Sequence, residues 1–415
     1  LHGIWASALV PTITQHVMGL VAGVLVFDIA RRLGASEWWS ALPAAVVLLS
    51  VDQVGIENLL MSDALSGFFL VAAMWTTVRS VASSRPVLWL AAGSALTGAA
   101  ITVRPTSVVV VPFLLIVACW QHGWRARLQT TAAVGLGLLV VMAPYLTVQH
   151  AQTDRWSLVE ANGWFEYMRI APFADCSKFT PPKGTEILCE STPPSQRPGP
   201  DYYIWGGGPA RATYGDFRVG NDQLRAFSTA AIKAQPVDYA DEVLADFSRY
   251  FLPVEPRHDV NPGTGPEVLR VHSYASSSAV DNVSPVLASY YGVPSVRTQP
   301  FVLDTLGRMQ QVMRIGTLAL SSALLLSVVG AIRLRRERGW ILLFVGMTLA
   351  TLLACVATSN FSTRYAVPVI PFAFIGAALA GSGLTRGRRR VRDRGADEPP
   401  TAATPDRPRQ LVPVP

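Results

Sequence analysis

Charge is scarce in this chain. Only 15% of its 415 residues are Asp, Glu, Lys or Arg, against about 25% in a soluble globular protein, so an ordinary soluble enzyme is a poor fit. Histidine is sparse as well: the six present are scattered without ligand spacing, and no metal site is visible. Cysteine is limited to four residues. No signal peptide precedes the first apolar run, and the chain starts at Leu1 rather than methionine. The expectation from that start is a sequence truncated upstream, or numbered from an internal position, with a further span and loop before it. What fills the chain instead is apolar: half of the residues are hydrophobic and the mean hydropathy is +0.31.

The apolar residues cluster in runs close to the ~20 residues that cross a bilayer. Nine runs are read as spans: 11–30, 39–56, 59–78, 86–103, 105–120, 130–149, 313–332, 340–358 and 365–383. Arginine sets their orientation. Alternate connections hold Arg31 and Arg32, Arg79 and Arg85, Arg125 and Arg127, and Arg333, Arg335, Arg336 and Arg338. The short connections on the other side hold only Arg104 and Arg364. That asymmetry makes the first set cytoplasmic and places the C-terminus inside, in the cell membrane. Joining 86–120 into one span would reverse every later segment and destroy the agreement. The expected fold is mainly α: a polytopic helix bundle with six spans in 1–149 and three in 313–383. Between spans six and seven, residues 150–312 form an extracytoplasmic domain of mixed α/β or irregular structure.

The net charge of +7 is not a nucleic-acid signal. Residues 150–312 carry 14 Lys and Arg against 18 Asp and Glu, so the insert is acidic. The basic excess lies in the cytoplasmic connections and in 384–415, which opens with Arg386, Arg388, Arg389, Arg390, Arg392 and Arg394. Such a cluster can rest on anionic membrane lipids at about 1 kcal/mol per residue; the plainer expectation is a topology anchor before a Pro-rich disordered end. Cys119 and Cys355 fall inside apolar runs and are expected to be packing residues. Cys176 and Cys189 are the remaining pair, both in the insert, and an even pair in an extracytoplasmic segment predicts a disulfide.

An insert this long exceeds structureless loops roughly tenfold and should fold. Helices are predicted at 221–234 and 237–250, with Pro236 suited to the start of the second. Residues 253–300 return to Pro, Gly and Ser, and no architecture is assigned to them.

Polar residues within or beside the apolar runs are the candidates for function, because a charge at mid-membrane costs at least ~2.5 kcal/mol and usually faces a cavity or a partner. In VDQVGIENLLMSDALSGFF, Glu57 marks the outer edge of the third span and Asp63 lies deeper. On one ideal helix the two point about 120° apart, so they are not an acid/base pair. Asp63 either binds an acceptor hydroxyl or a metal-bound phosphate, or makes an interhelical hydrogen bond. In ITVRPTS, Arg104 can grip a lipid phosphate with two parallel hydrogen bonds or snorkel to the headgroups. In NFSTRYAVPVIPF, Arg364 and Tyr365 enter the last span from outside. Gln15 and His16 form a polar pair in the first span, read as bonded to a neighbouring helix.

The runs TQHVMGLVAGVLVFDIARRLGAS, ENLLMSDALSGFFLVAAMW, GAAITVRPTSVVVVP and STRYAVPVIP resemble the polyprenyl-phosphate-sugar-dependent glycosyltransferases of the GT-C type. That group includes protein O-mannosyltransferases and aminoarabinose transferases, and this chain looks most like actinobacterial members. The likeness covers roughly 10–150 and 313–383. It implies that a sugar arrives on a polyprenyl phosphate at the outer face and is attacked by a hydroxyl of a glycan or protein acceptor. A carboxylate serves as base, and arginine or a divalent metal steadies the departing phosphate. The family's carboxylate normally lies in the first outer loop, before this chain starts, and no residue here matches it. Asp63 is the candidate for that role, and His16, Glu57, Arg104, Arg364 and Tyr365 are candidates for substrate binding. Two other classes stay open: a polytopic transporter, although no inverted repeat is visible, and a non-catalytic assembly protein of the cell envelope.

Overall fold

Proline and apolar run length decide most of the elements. The computed structural model describes residue 7 and residues 9–58, 61–120, 123–258, 305, 307–310 and 313–396, with side chains as far as 386. Six helices cover the first part of the chain: α1 (Leu9–Arg32), α2 (Glu37–Leu49), α3 (Val51–Asn58), α4 (Ser62–Val81), α5 (Pro86–Val103) and, after a 3-10 turn at Pro105–Val110, α6 (Val111–Cys119). Then come α7 (Trp124–Thr153) and five helices of the insert: α8 (Asn162–Ile170), α9 (Pro200–Trp205), α10 (Pro209–Tyr214), α11 (Asn221–Ala234) and α12 (Pro236–Ser248). The bundle resumes with α13 (Thr317–Arg333), α14 (Arg338–Thr358) and α15 (Ile370–Ala396). Pro86, Pro200, Pro209 and Pro236 each open a helix. There the missing N–H costs nothing and the fixed φ already suits the helix.

Each apolar run is helical, with differences that have local causes. Among the described residues α1, α4, α5, α7 and α14 are long and apolar enough to cross a membrane. The run read as 39–56 is a pair, α2 and α3, bent by 42° at Ser50, whose backbone is extended. Residues 105–119, 317–333 and 370–386 are shorter apolar helices. The first of these is shortened by Pro105 and Pro112, which favour a 3-10 start over a full α-helical span. The third run also begins later than read: α4 starts at Ser62, so Glu57 belongs to α3 and Asp63 to α4. The single-helix angle between them therefore does not apply. Helices of this number, length and composition fit a helical membrane protein.

Within the bundle α5 packs against both α4 and α7, and α13 against α15. Glycine permits one of these approaches: a Cβ on Gly137 of α7 would lie 2.3 Å from the Ala91 carbonyl of α5. The core joins Val26, Ile29, Leu70, Met74, Leu114, Phe344 and Phe372, all buried.

The insert has its own apolar centre, in which Trp164, Tyr167, Tyr203, Leu224 and Phe227 are buried together. Helices at 221–234 and 236–248 agree with the spacing read above, and Cys176 is bonded to Cys189. Closing a loop of that length stabilises the insert by about 3 kcal/mol in the chain-entropy picture. No strand occurs among the described residues, so the insert departs from a mixed α/β reading and follows the irregular one, with short helices and turns. Two buried arginines supply polar order: Arg169 meets Asp246 at 2.5 Å, and Arg197 donates to the carbonyls of Thr192, Ala171 and Ala174. Most of 253–300, and residues 397–415, lie outside the described residues. The arginine-rich stretch after Leu384 continues α15 as far as Ala396.

Candidate functional site

The connection between α14 and α15 is where the insert meets the bundle. Tyr239 Oη donates to the Ala357 carbonyl at 2.9 Å and Tyr250 Oη to the Ser362 carbonyl at 3.1 Å. Asn360 Nδ2 donates to Asp201 Oδ1 at 2.9 Å. From the bundle side, Ser321 Oγ donates to the Phe251 carbonyl at 2.7 Å.

Asp63, Arg104, Arg364 and Tyr365 come together at this end. Arg104 pairs with Asp63 through Nη1; Asp63 is buried and the Arg104 side chain is 13% exposed. The Arg104 guanidinium also lies 4.3 Å from the Tyr365 ring centre, and its other nitrogen approaches Cys355 Sγ at 3.8 Å. Cys355 is thus a neighbour of the cluster as well as a core residue, whereas Cys119 is exposed at the end of α6 and is not a packing residue. The pairing of Asp63 with Arg104 has a direct reason. A lone ion in a dry bundle would bear an uncompensated desolvation cost, and the break at Met61 turns the first turn of α4 towards the extended backbone at Arg104. Neither ion is free: Asp63 and Arg104 are each other's ion-pair partners.

Arg364 is placed differently. Nη1 contacts Met61 Sδ at 3.2 Å and Nη2 donates to Tyr365 Oη at 3.3 Å. Among the described residues it has no carboxylate ion pair. Tyr365 Oη in turn donates to Asn360 Oδ1 at 3.4 Å, and Asn360 reaches Asp201. A continuous chain of side chains therefore runs from Arg364 through Tyr365 and Asn360 to a carboxylate of the insert. Burial pushes Asp201 up to about 6, partly opposed by the positive charge of Arg364 and by the Asn360 hydrogen bond.

Two groups beside this cluster were not legible as a pair. Arg314 Nε lies 3.3 Å from Asp52 Oδ2, and its Nη2 donates to Thr363 Oγ1 at 3.2 Å. Asp52 is buried, and its Oδ1 has no hydrogen-bond partner among the described residues. Both residues line a cavity of about 360 Å³ with Arg249, Tyr250, Phe361 and Leu320 among its walls. Arg249 sits 4.0 Å from the Phe361 ring centre. Arg314 was missed because it opens an apolar run and has no acid near it in sequence. Asp201 was missed because nothing in DYYIW marks it as facing Asn360.

His16 and Glu57 form a second polar contact, with Nδ1 and Oε2 at 2.7 Å, and Gln53 donates to the other Glu57 oxygen at 2.7 Å. This is the interhelical bond expected for His16. Gly19 makes room for it, since a Cβ there would lie 1.9 Å from Glu57 Oε1. No described hydrogen bond joins this pair to Asp63 or Arg104, so His16 and Glu57 stand apart from the main cluster. Among the described residues no group of three or more His, Cys, Asp or Glu side chains could hold a metal ion. The divalent metal implied by the resemblance has no fitting ligand set there.

Residues 6–149 match a family model described as dolichyl-phosphate-mannose-protein mannosyltransferase. The match takes in His16, Glu57, Asp63 and Arg104 and stops before the insert. Over that stretch, about a third of the chain, the protein is similar to this family of membrane glycosyltransferases. No curated protein and no solved structure matches.

Proposed function

We propose that this protein is a membrane glycosyltransferase that moves a sugar from a polyprenyl-phosphate carrier to an acceptor on the outer face of the membrane. The bundle then has nine crossings, with α2 and α3 as one bent span, and residues 150–312 stand outside. The observation that carries the reading is the hydrogen-bonded chain from Arg364 to Asp201, formed where the insert meets the bundle. It puts a guanidinium with unused donors and a carboxylate near neutrality within one polar network, and glycosyl transfer from a lipid phosphate needs one of each.

Arg364 and Arg314 are the phosphate-holding groups in this reading. A planar guanidinium can offer two parallel N–H bonds to phosphate oxygens, and the half-apolar cavity beside Arg314 suits the start of an isoprenoid chain. Arg104, held by Asp63 beneath Tyr365, positions that ring. Asp201 accepts the proton of the attacking hydroxyl: its elevated pKa makes it a better base than an ordinary carboxylate, yet leaves it ionised at neutral pH. The departing phosphate keeps the electron pair of the broken glycosidic bond, and its negative charge falls on arginine.

The test uses the full-length protein in membranes with a radiolabelled polyprenyl-phosphate sugar, scoring donor binding and transfer separately. Arg364→Gln should weaken donor binding by about 1.5–3 kcal/mol, the worth of a charge-assisted bond, and Arg364→Lys by less. Asp201→Asn should leave donor binding intact and abolish most transfer. Donor binding unchanged in folded Arg364→Gln, or full transfer by Asp201→Asn, would exclude this site. Movement of a soluble solute without consumption of donor would favour a transporter instead.

A further inference from the structure

The end of the bundle away from the insert holds a second cavity, of about 530 Å³, which the transferase reading does not use. Arg32, Arg79 and Arg336 line it, with Trp89 and Trp340 among its walls. The three arginines are not equivalent. Arg32 is neutralised by Asp28 at 2.5 Å. Arg79 and Arg336 have no ion pair among the described residues, and the one carboxylate in the wall, Glu337, already faces Arg386 at 3.7 Å.

Arg79 is held in place without being satisfied. Its guanidinium lies 4.8 Å from the Trp75 ring centre and 4.7 Å from that of Trp89. Trp75 is itself fixed, because its indole N–H donates to Asp28 at 2.7 Å. The two indoles stand at 87° to each other, so at most one lies flat against the guanidinium, whose N–H edge is left to find an acceptor. A residue whose only task is to keep a connection in the cytoplasm needs charge, not such a mount. The apolar part of the wall, Leu33, Val78 and Leu379, suits the first carbons of a hydrocarbon chain.

We infer that this cavity binds the phosphate headgroup of an anionic lipid, with Arg79 and Arg336 as donors and the indoles of Trp89 and Trp340 as walls. The site is independent of sugar transfer and stands whether or not the opposite end is catalytic. The purified full chain, stripped of lipid in neutral detergent, would be titrated with phosphatidylglycerol and with phosphatidylcholine, and bound lipid counted by native mass spectrometry. One phosphatidylglycerol should bind with preference. Arg79→Gln and Arg336→Gln should each weaken it roughly tenfold, while Arg125→Gln with Arg333→Gln, exposed arginines outside the cavity, should not. Arg79→Lys keeps the charge and the fold; it should still lose affinity because the planar fork is gone. Equal loss in the control pair would reduce the effect to surface charge and overturn the proposal. So would saturation of the site by inorganic phosphate with no gain from the lipid tail, which would make it a site for free phosphate.

Discussion

The two ends of the bundle treat charge in opposite ways. At the insert end the charges are few and deep, and each buried acid has a cation or imidazole at hand: Asp63 with Arg104, Asp52 with Arg314, Glu57 with His16. At the other end arginine is in excess, exposed or half-exposed, and Arg79 and Arg336 make no ion pair among the described residues, Asp28 acting on Arg79 only at longer range. The difference follows from depth. An ion withdrawn from water must be matched, because the desolvation penalty otherwise exceeds what folding can offset. An ion near the headgroups can keep its water, or exchange it for lipid phosphate. On the proposed reading the working groups at the insert end are Arg364 and Asp201, whose charges the cluster matches only in part, and Arg314, shared between Asp52 and Thr363.

The largest effect should come from unpairing the deep end. Asp63→Asn or Arg104→Gln leaves one buried ion alone and should cost about 3–5 kcal/mol, read as a lower unfolding temperature in detergent. Replacing both together should recover most of the loss. If the single variants melt like wild type, the contrast in depth does not hold.

A smaller effect concerns Asp201. Its folded pKa, about 6, lies above the unfolded value of 3.8. The folded chain holds the proton more tightly, so the stability from this group is fully present below 3.8 and is lost as pH rises through about 6. Transfer should change in the opposite sense and rise over the same interval, because the base must be ionised. Asp201→Asn should flatten the stability profile between pH 4 and pH 7 by roughly this one-proton contribution. A wild-type profile without an inflection near 6 would remove Asp201 from the account.

The smallest perturbation tests which end faces which side. Single cysteines at Ser84 and Ser191, in a background lacking Cys119 and Cys355, should differ in intact cells. An impermeant maleimide should label position 191 and spare position 84. Equal labelling would reverse or abolish the sidedness assigned to the two ends.

Much of the bundle was legible because length and hydropathy act locally: each apolar run in the sequence is helical, and α11 and α12 fall where their spacing puts them. The bend at Ser50 was not, since Val51 continues the apolar run without a Gly or Pro to mark a break. Part of the site could be read. Asp63, Arg104, Arg364 and Tyr365 stand out because charge inside an apolar run is costly, and that cost is also what draws Asp63 to Arg104. Their mutual distance is a tertiary fact: Arg364 lies on the far side of a long insert from the other two. Asp201 and Arg314 carried no such mark, because an acid in a polar insert and an arginine at a run's edge are both ordinary.

The tyrosines that fasten the insert to the bundle end on main-chain carbonyls, those of Ala357 and Ser362. Every amino acid supplies that acceptor. Substitutions at 357 and 362 that keep the backbone path should thus be tolerated by the seam, while the requirement for a phenol at 239 and 250 is strict. At these two bonds drift in sequence can accumulate on the bundle side, whereas Ser321 and Asn360 place the requirement on the bundle at the other two.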